Sequence, residues 1–240
     1  MDIDDAVVVV TGASSGIGEA TARAASARGA RVVLAARRED RVSALADELG
    51  RAVAVRCDVT DRAQVDALVR TAVDAFGRVD VVVNNAGQGL EARMEETDLD
   101  DFRALLELNV VAPLSVMQAV LPLMRAQGSG SIVNVSSGTT FADLPGTGAY
   151  VASKIALERL SAIARSELDG TGVTVSTVIP FITSTEFIGS MRAGRESAET
   201  SLAGLDFDPP ERVAEVILDL VRTGAARADL VPVAYGGSRT

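Results

Sequence analysis

The chain of 240 residues contains no histidine, no tryptophan, one cysteine and two tyrosines. The absence of histidine excludes Ser-His-Asp and Cys-His nucleophile systems and zinc sites built on imidazole, and we expect no metal site. A single cysteine, Cys57, excludes an internal disulfide and is typical of a reducing compartment. Proton transfer at neutral pH must therefore use a carboxylate, a lysine or a tyrosine whose pKa is shifted.

Positive charge is also scarce. With 33 acidic against 23 basic residues, the net charge of −10 argues against a general affinity for nucleic acid or an anionic membrane surface. The start, MDIDDAVVVV, is acidic where a secretory signal is positively charged, so we expect a cytoplasmic protein. The apolar stretch 108–124 is interrupted by Asn109, Pro113, Gln118 and Pro122, which predicts a buried helix rather than a membrane span.

Short β-branched runs alternate with amphipathic segments along the whole chain. Strands are predicted over 6–11, 31–35, 52–56, 79–84, 131–136 and 173–178, with 230–234 as a candidate seventh. Helices are predicted over 16–28, 39–49, 61–76, 99–125, 150–168 and 209–222. The alternation indicates one Rossmann-like, doubly wound α/β domain over 1–240, with a mostly parallel seven-stranded sheet flanked by helices on both faces. The segment 186–208 breaks the pattern and is predicted to be a lid over the substrate.

The stretch TGASSGIG at 11–18 follows the first strand and opens a helix. Gly12 permits a sharp turn, Gly16 lets the backbone approach a ligand, and Gly18 allows close packing of helix and strand. The helix N-terminus suits a pyrophosphate. A small-residue turn without a ligand is the alternative, but the position in the first βα unit favours dinucleotide binding.

A second motif, AYVASK at 149–154, places Tyr150 four residues before Lys154 at the start of a predicted helix. The two side chains would share one face of that helix. A free tyrosine has a pKa near 10, and lowering it by one unit requires about 1.4 kcal/mol of preferential stabilisation of the phenolate. An ammonium one helical turn away supplies such stabilisation, so we expect Lys154 to lower the pKa of Tyr150.

These motifs stand in a recognisable order: TGASSGIG, then NNAG at 84–87, Asn109, and Ser137 followed thirteen residues later by Tyr150 and four further by Lys154. The chain is identified by them as similar to the classical short-chain dehydrogenase/reductase family over roughly residues 6–187. The resemblance implies an oxidoreductase that interconverts a ketone or aldehyde and an alcohol by hydride transfer with a nicotinamide cofactor.

The resemblance also implies four catalytic roles. Tyr150 is the general acid/base, and Lys154 tunes it and hydrogen-bonds the nicotinamide ribose. Ser137 donates a hydrogen bond to the developing alkoxide, and Asn109 interrupts its helix and holds a water that relays protons to Lys154. Taken singly, each has a quieter explanation: a packing tyrosine, a solvated lysine, a turn hydroxyl or a buried amide.

On the cofactor side, the resemblance implies contacts from the first turn, from the ends of the third and fourth strands, from the catalytic pair and from the turn after the sixth strand: Gly12, Ser14, Ser15, Gly16, Ile17, Gly18, Asp58, Val59, Asn85, Ala86, Gly87, Tyr150, Lys154, Pro180, Thr183 and Thr185. Asp58 could equally be a turn or cap residue, and Asn84 is expected to tie neighbouring strands together. Phe181 replaces the glycine that members carry after Pro180. We expect a turn that is altered or strained, or a ring that projects into the substrate pocket.

The second strand ends in AARRED, where an acidic residue would bind the ribose hydroxyls of NAD. Ala36 takes that place, and Arg37 and Arg38 follow. Because a guanidinium pairs with a phosphate through two parallel hydrogen bonds, we expect NADP(H) to be preferred over NAD(H), with Arg37 as the main contact and Arg38 as a helper. The alternative is a pair of solvated charges at a strand end.

The expected substrate is a small carbonyl compound or alcohol with an apolar portion, because the expected pocket lining is mainly apolar: Gln88, Leu90, Thr139, Leu144, Phe181, Phe187 and Met191. Family members commonly form homodimers or homotetramers through the two long helices, and we expect the same here. A catalytically silent dinucleotide sensor or interaction protein is the alternative function. The complete set of four catalytic residues counts against it.

Overall fold

The computed structural model describes residues 1–239. Its seven strands form one parallel sheet in the order β3-β2-β1-β4-β5-β6-β7. The strands are β1 Val7–Thr11, β2 Arg31–Ala36, β3 Ala52–Arg56, β4 Val81–Asn84, β5 Gly130–Val135, β6 Val173–Ile179 and β7 Arg227–Asp229. The predicted fold class is confirmed.

Helices cover both faces of this sheet: α1 Gly16–Ala27, α2 Glu39–Leu49, α3 Arg62–Phe76, α4 Leu99–Leu106, α5 Ala112–Gln127, α6 Gly148–Glu167, α7 Arg195–Ser201 and α8 Pro210–Thr223. Successive side chains of a strand point to opposite faces, so Val8 and Val10 pack with α1, α2 and α8, while Val7 and Val9 pack with α3 and α5. The strands are valine-rich on both sides because both sides are buried.

The strand order reverses between β1 and β4, which are neighbours in the sheet although β2 and β3 intervene in the sequence. In an open parallel sheet, the chain leaves the carboxyl ends of two such strands in opposite directions and a crevice opens between them. The glycine turn after β1 and the NNAG motif after β4 therefore meet at the same edge of the sheet.

The seventh strand lies earlier than predicted, at Arg227–Asp229 rather than 230–234. The expected segment contains Pro232, which has no amide hydrogen for a sheet ladder, and the chain turns there into a 3-10 turn at Val233–Tyr235. Charged Arg227 and Asp229 suit an edge strand, where one side faces solvent. The apolar run 230–234 is buried at Leu230 and Val231, but the segment that pairs with β6 is the one just before it.

The single helix predicted over 99–125 is instead α4 and α5 joined by a turn of π-helix at Glu107–Val111. The combined segment Leu99–Gln127 is long and apolar enough to cross a membrane by length and composition alone, and core helices of soluble proteins share both properties. α5 packs on the sheet through Val116, Val120 and Met124, while Leu114 is exposed.

The predicted lid, 186–208, contains a 3-10 turn at Ile188–Ser190 and the short helix α7. It is fastened to the segment after β4 by backbone hydrogen bonds from Arg192 N to Gly89 O, 3.0 Å, and from Glu91 N to Ala193 O, 3.1 Å. The Arg192 guanidinium also pairs with Asp101 at 3.0 Å. The lid therefore lies closed against the carboxyl edge of the sheet.

Candidate active site

The glycine turn forms the floor of the crevice. Gly12 and Gly16 have φ of 68° and 57°, the left-handed region that favours glycine. A β-carbon on Gly12 would lie 2.8 Å from the Asn85 side chain, and one on Gly18 would collide with the Gly12 carbonyl oxygen. Within residues 1–239, the Ser15 side chain makes no capping bond to α1, so the first N–H groups of that helix remain available to an anion.

A cleft of about 330 Å³ opens above this turn, within the size range of small-molecule sites. Most of the predicted cofactor residues line it: Gly12, Ser14, Ser15, Gly16, Ile17, Arg37, Arg38, Asp58, Val59, Asn85, Ala86, Gly87 and Thr185. Gly18, Pro180, Thr183, Tyr150 and Lys154 are not among the lining residues. Gly18 serves the helix packing expected of it, and Tyr150 and Lys154 are buried.

Two of the predicted cofactor contacts, Asp58 and Asn85, also form hydrogen bonds within the protein. Asp58 Oδ1 accepts from the amide and the hydroxyl of Thr60, at 3.0 and 2.7 Å, which makes it a turn residue that also lines the cleft. The Asn85 side chain donates to the carbonyl oxygens of Thr11 and Gly12, at 3.0 and 3.2 Å, and so braces the glycine turn. As expected, Asn84 ties β4 to β5 by donating to Asn134 at 2.8 Å.

The two arginines after β2 differ in their surroundings. Arg38 donates to the Ser14 and Ser15 hydroxyls, at 2.8 and 2.7 Å, and pairs with Glu186 of the lid at 2.5 Å. Arg37 is exposed and forms no hydrogen bond or ion pair with any residue from 1 to 239. The predicted helper is thus held by the glycine turn, while the predicted main contact is the one free to meet an incoming anion.

The turn after β6 differs from the family pattern without backbone strain. Asp5 is the one non-glycine residue with positive φ in the described chain, so Phe181 does not adopt the conformation that its glycine counterpart permits. Its ring packs against Tyr235 with centroids 5.2 Å apart. The ring edge also lies beside Gly138, next to Ser137, and the expectation that Phe181 projects into the substrate pocket stays a prediction. The Pro180 carbonyl accepts from Gly138 at 2.8 Å, and the Thr183 hydroxyl donates to the Phe181 carbonyl at 2.9 Å.

Ser137, Tyr150 and Lys154 meet at the carboxyl end of β5, where the first turn of α6 crosses it. Lys154 is the only lysine in the chain. Its Nζ donates to the Val135 carbonyl at 2.9 Å and lies 5.8 Å from the centroid of the Tyr150 ring. A β-carbon placed on Gly87 would be 3.4 Å from that Nζ, so the amine sits directly under the NNAG loop beside the cleft.

Burial controls the protonation of this pair. It lowers the pKa of Lys154 to about 8, and the charge of Glu158 opposes that shift. It raises the pKa of Tyr150 to about 12, and hydrogen bonding with Ser137 opposes that shift. The expectation that Lys154 lowers the pKa of the phenol is therefore wrong for the protein's own groups. The ammonium is directed at the Val135 carbonyl, and desolvation of the phenol outweighs its field.

Asn109 lies at the centre of the π-helical turn, which confirms that it interrupts the helix. Its amide is fully engaged: Oδ1 accepts from Gln88 N at 3.0 Å, and Nδ2 donates to Gln88 O at 2.9 Å and to Ser153 Oγ at 3.1 Å. The side chain thus joins the NNAG loop to α6. Its predicted water relay remains a prediction.

An apolar layer covers Tyr150. Leu90, Leu105 and Ala149 pack with the tyrosine, and the Phe187 ring of the lid lies on it with centroids 5.7 Å apart. Phe187 also contacts Gly89. Of the other predicted pocket residues, Leu144 is exposed, Met191 touches Gly89, and Thr139 bonds the Ser137 hydroxyl. The residues around the phenol are therefore mainly apolar.

Several cleft residues were not predicted as ligand contacts: Ala36, Cys57, Leu108, Glu186 and Ser190. Ala36 and Cys57 stand at the carboxyl ends of β2 and β3, and the rule that ligands bind at these ends could have found them. Leu108 and Ser190 carry no signal in the sequence, because only the π-turn and the lid bring them to the cleft. Glu186 was placed in the lid, but its pairing with Arg38 depends on the lid's closure.

A glycine turn beneath a cleft at the switch point of a parallel sheet, with a Ser-Tyr-Lys group beside it whose Tyr150 and Lys154 are buried, defines a Rossmann-fold protein of the dinucleotide-binding type. The family model described as short chain dehydrogenase matches residues 6–196. The chain therefore belongs to the short-chain dehydrogenase/reductase family of oxidoreductases.

Individual relatives agree with this assignment. An uncharacterized oxidoreductase of Staphylococcus epidermidis is 37% identical over 179 residues, 74% of this chain and 78% of the relative. Among solved structures, a short-chain dehydrogenase/reductase from Burkholderia phymatum in complex with NAD aligns with a TM-score of 0.90 at 26% identity, covering 98% of this chain and 92% of that one. The closed form of a serine dehydrogenase complexed with NADP+ aligns with a TM-score of 0.89 at 27% identity, covering 98% of each chain.

Because Lys154 is the only lysine, protein labelled with 13C-lysine gives one side-chain ε signal. We expect this signal to titrate with a pKa of about 8, since burial disfavours the ammonium. Between that pKa and the higher value of an unfolded lysine, the folded state binds fewer protons than the unfolded state. Through this group, stability therefore rises with pH in that window. Titration of the signal above about pH 10 would contradict the assigned burial.

Proposed function

We propose that this protein is an NADP(H)-dependent reductase that converts a ketone or aldehyde to an alcohol by hydride transfer, with Tyr150 as general acid/base. The observation that carries the proposal is the meeting of Ser137, Tyr150 and the only lysine at the end of β5, with the Lys154 amine next to Gly87 of the glycine-floored cleft. Tyr150 and Lys154 lie one turn apart on α6, whereas Ser137 lies outside that helix, thirteen residues before Tyr150. The packing of α6 against the end of β5 brings the three side chains together, so their convergence is a property of the fold.

The residues of the cleft fit a nicotinamide dinucleotide. The uncapped N-terminus of α1 and the positive-φ glycines suit a pyrophosphate, and the loop from Asn85 to Gly87 extends the cleft toward Lys154. A bound nicotinamide dinucleotide supplies or accepts the hydride. Lys154, buried next to Gly87, stands where it can hydrogen-bond a ribose at the reacting end, as the family resemblance implies.

The protein groups perform the proton chemistry. Thr139 donates to Ser137 Oγ through its amide and its hydroxyl, at 3.3 and 3.0 Å. In the proposed complex the Ser137 hydroxyl donates its own proton to a carbonyl oxygen in place of the Tyr150 hydroxyl, which stabilises negative charge as it develops there. Tyr150 delivers its proton to that oxygen, and Lys154 stabilises the phenolate left behind. Asn109 is proposed to hold the water through which Lys154 is reprotonated.

The cofactor preference rests on the two arginines. Arg37 is exposed and lines the cleft, and Arg38 lines it too and is anchored on the Ser14 and Ser15 hydroxyls. Two guanidinium groups in this part of the cleft support the binding of a ribose phosphate. No acidic residue occupies the position of Ala36. One structural neighbour is complexed with NAD and another with NADP+, so the family fold accepts both cofactors. The preference between them therefore depends on these side chains.

The layer over Tyr150 supports a small substrate with an apolar portion. Leu90 and Phe187 flank the phenol, and hydrophobic surface near the reacting carbonyl would be buried against them. The lid carries Phe187, so its opening admits the substrate and its closure excludes water from the reacting groups.

We also propose a homodimer or homotetramer built on α5 and α6. These helices expose Leu114, Ile155 and Ile163, apolar side chains on the side away from the sheet. Light scattering coupled to size-exclusion chromatography should give two or four times the chain mass of 24.8 kDa. The double variant Leu114→Glu/Ile163→Glu should lower that mass, because charged side chains oppose burial at an interface. A monomeric wild-type protein at micromolar concentration would contradict this assembly.

Tyr150→Phe should reduce turnover by about three orders of magnitude with an active ketone, because the variant keeps the ring but loses the transferred proton. Turnover is followed as NADPH oxidation over a panel of ketones and aldehydes. NADPH affinity, measured by fluorescence, should stay within about twofold, which shows that the site is intact. Near-normal turnover of this variant would remove Tyr150 from the mechanism. Absence of turnover by the wild type on the whole panel would favour a catalytically silent sensor.

Arg37→Asp should lower kcat/KM with NADPH by about 100-fold and raise it with NADH, because a carboxylate repels the phosphate and accepts hydrogen bonds from ribose hydroxyls. The matched control is Arg70→Asp on α3, which changes the net charge equally at an exposed residue outside the cleft. If both variants change the cofactor ratio alike, the effect is one of overall charge and the role of Arg37 is lost.

A further inference from the structure

Glu158 is a partly buried carboxylate that takes no part in the proposed hydride and proton transfer. It lies on α6 one turn beyond Lys154, with its side chain 19% exposed. Its Oε1 accepts hydrogen bonds from Ser136 Oγ at 2.6 Å and from Thr140 Oγ1 at 3.0 Å. Its Oε2 lies 3.6 Å from Arg227 of β7. One carboxylate thus joins α6, the loop after β5 and the edge strand.

The two hydroxyl donors flank Ser137 in the sequence. Thr140 also donates to the Ser137 backbone carbonyl at 2.9 Å, so its hydroxyl is shared between that carbonyl and the Glu158 carboxylate. An ionised carboxylate only accepts hydrogen bonds, and bonds to it are shorter and stronger than those between neutral groups. Glu158 therefore draws both ends of the Ser137 turn onto the helix that carries Tyr150 and Lys154.

We propose that Glu158 is a positioning residue that holds the Ser137 turn in register with Tyr150 and Lys154. This inference rests on the proposed reductase function, since the register matters only if the three side chains act on one carbonyl oxygen. A displacement of about 1 Å in such a group lowers rates by about 100-fold.

The charge of Glu158 has a second consequence. Lys154 faces Tyr150 and Glu158 on its own helix, the Val135 carbonyl of β5, and the Asn109 amide across Gly87. Of these groups, Glu158 is the one carboxylate. Its field raises the pKa of Lys154 against the effect of burial. Arg227 faces Glu158 from β7 and weakens that field in part.

Two variants separate position from charge. In Glu158→Gln, the amide oxygen still accepts from both hydroxyls while the charge is lost. We expect kcat at pH 6.5 to stay within about threefold, and the 13C-lysine titration and the basic limb of kcat/KM for NADPH to move together to lower pH. In Ser136→Ala/Thr140→Val the donors are lost while the charge stays. We expect kcat to fall 10- to 100-fold at every pH, with NADPH affinity and the lysine titration unchanged.

Glu167→Gln, an exposed carboxylate on the same helix, is the matched control and should change neither quantity. The proposal is overturned if Glu158→Gln leaves the lysine signal where it is, or if the double variant keeps wild-type kcat. The titration needs no turnover. If the wild type reduces nothing on the panel but the lysine signal moves in Glu158→Gln, the proposed function fails while the electrostatic link between Glu158 and Lys154 stands.

Discussion

The burial of one amine governs the organisation of this site. Lys154 carries the only ammonium of a lysine in a chain whose other basic side chains are arginines, and it lies inside the protein against the Val135 carbonyl. A cation in such a place is costly unless polar groups surround it. The π-turn, the NNAG loop and the end of β5 supply that surrounding, and each of them also forms part of the cleft. The proposed cofactor binding and proton chemistry therefore depend on the same packing.

The topology explains why these parts meet. The carboxyl ends of β1, β4 and β5 are adjacent, so the glycine turn, the NNAG loop and Ser137 share one edge although the sequence separates them widely. Asn85 braces the glycine turn from the β4 side, and Asn109 fastens the following residue, Gln88, to the π-turn. Hydrogen bonds thus fix the part of the site at the sheet, and the lid is a separate segment laid over it. That division suits a reaction that needs fixed geometry and a removable cover.

Much of this could be predicted from the sequence, and the failures share a cause. The first six strands, the glycine turn and the Ser137–Tyr150–Lys154 spacing are local patterns, and they hold. The packing of Phe181 on Tyr235 and the capture of Arg38 by Ser14 and Glu186 depend on which distant segments approach, and no local pattern encodes that. The prediction that the pKa of Tyr150 is lowered was wrong for a related reason. Helical spacing indicates that an ammonium is near, but only the packed structure shows how strongly the phenol is desolvated.

That desolvation bears on the proposed proton transfer. With a pKa of about 12, forming the phenolate at pH 7 costs about 7 kcal/mol, so Tyr150 retains its proton. Ser137 accepts two hydrogen bonds from Thr139, which leaves its own proton for the Tyr150 oxygen or, in the proposed reaction, for a substrate oxygen. Two neutral donors in an apolar layer are complementary to an oxygen that gains negative charge, as a carbonyl does when hydride arrives. The phenolate that remains after proton delivery is the same species that the reverse reaction would use as a base, so the cost of forming it enters the proposed reaction in both directions.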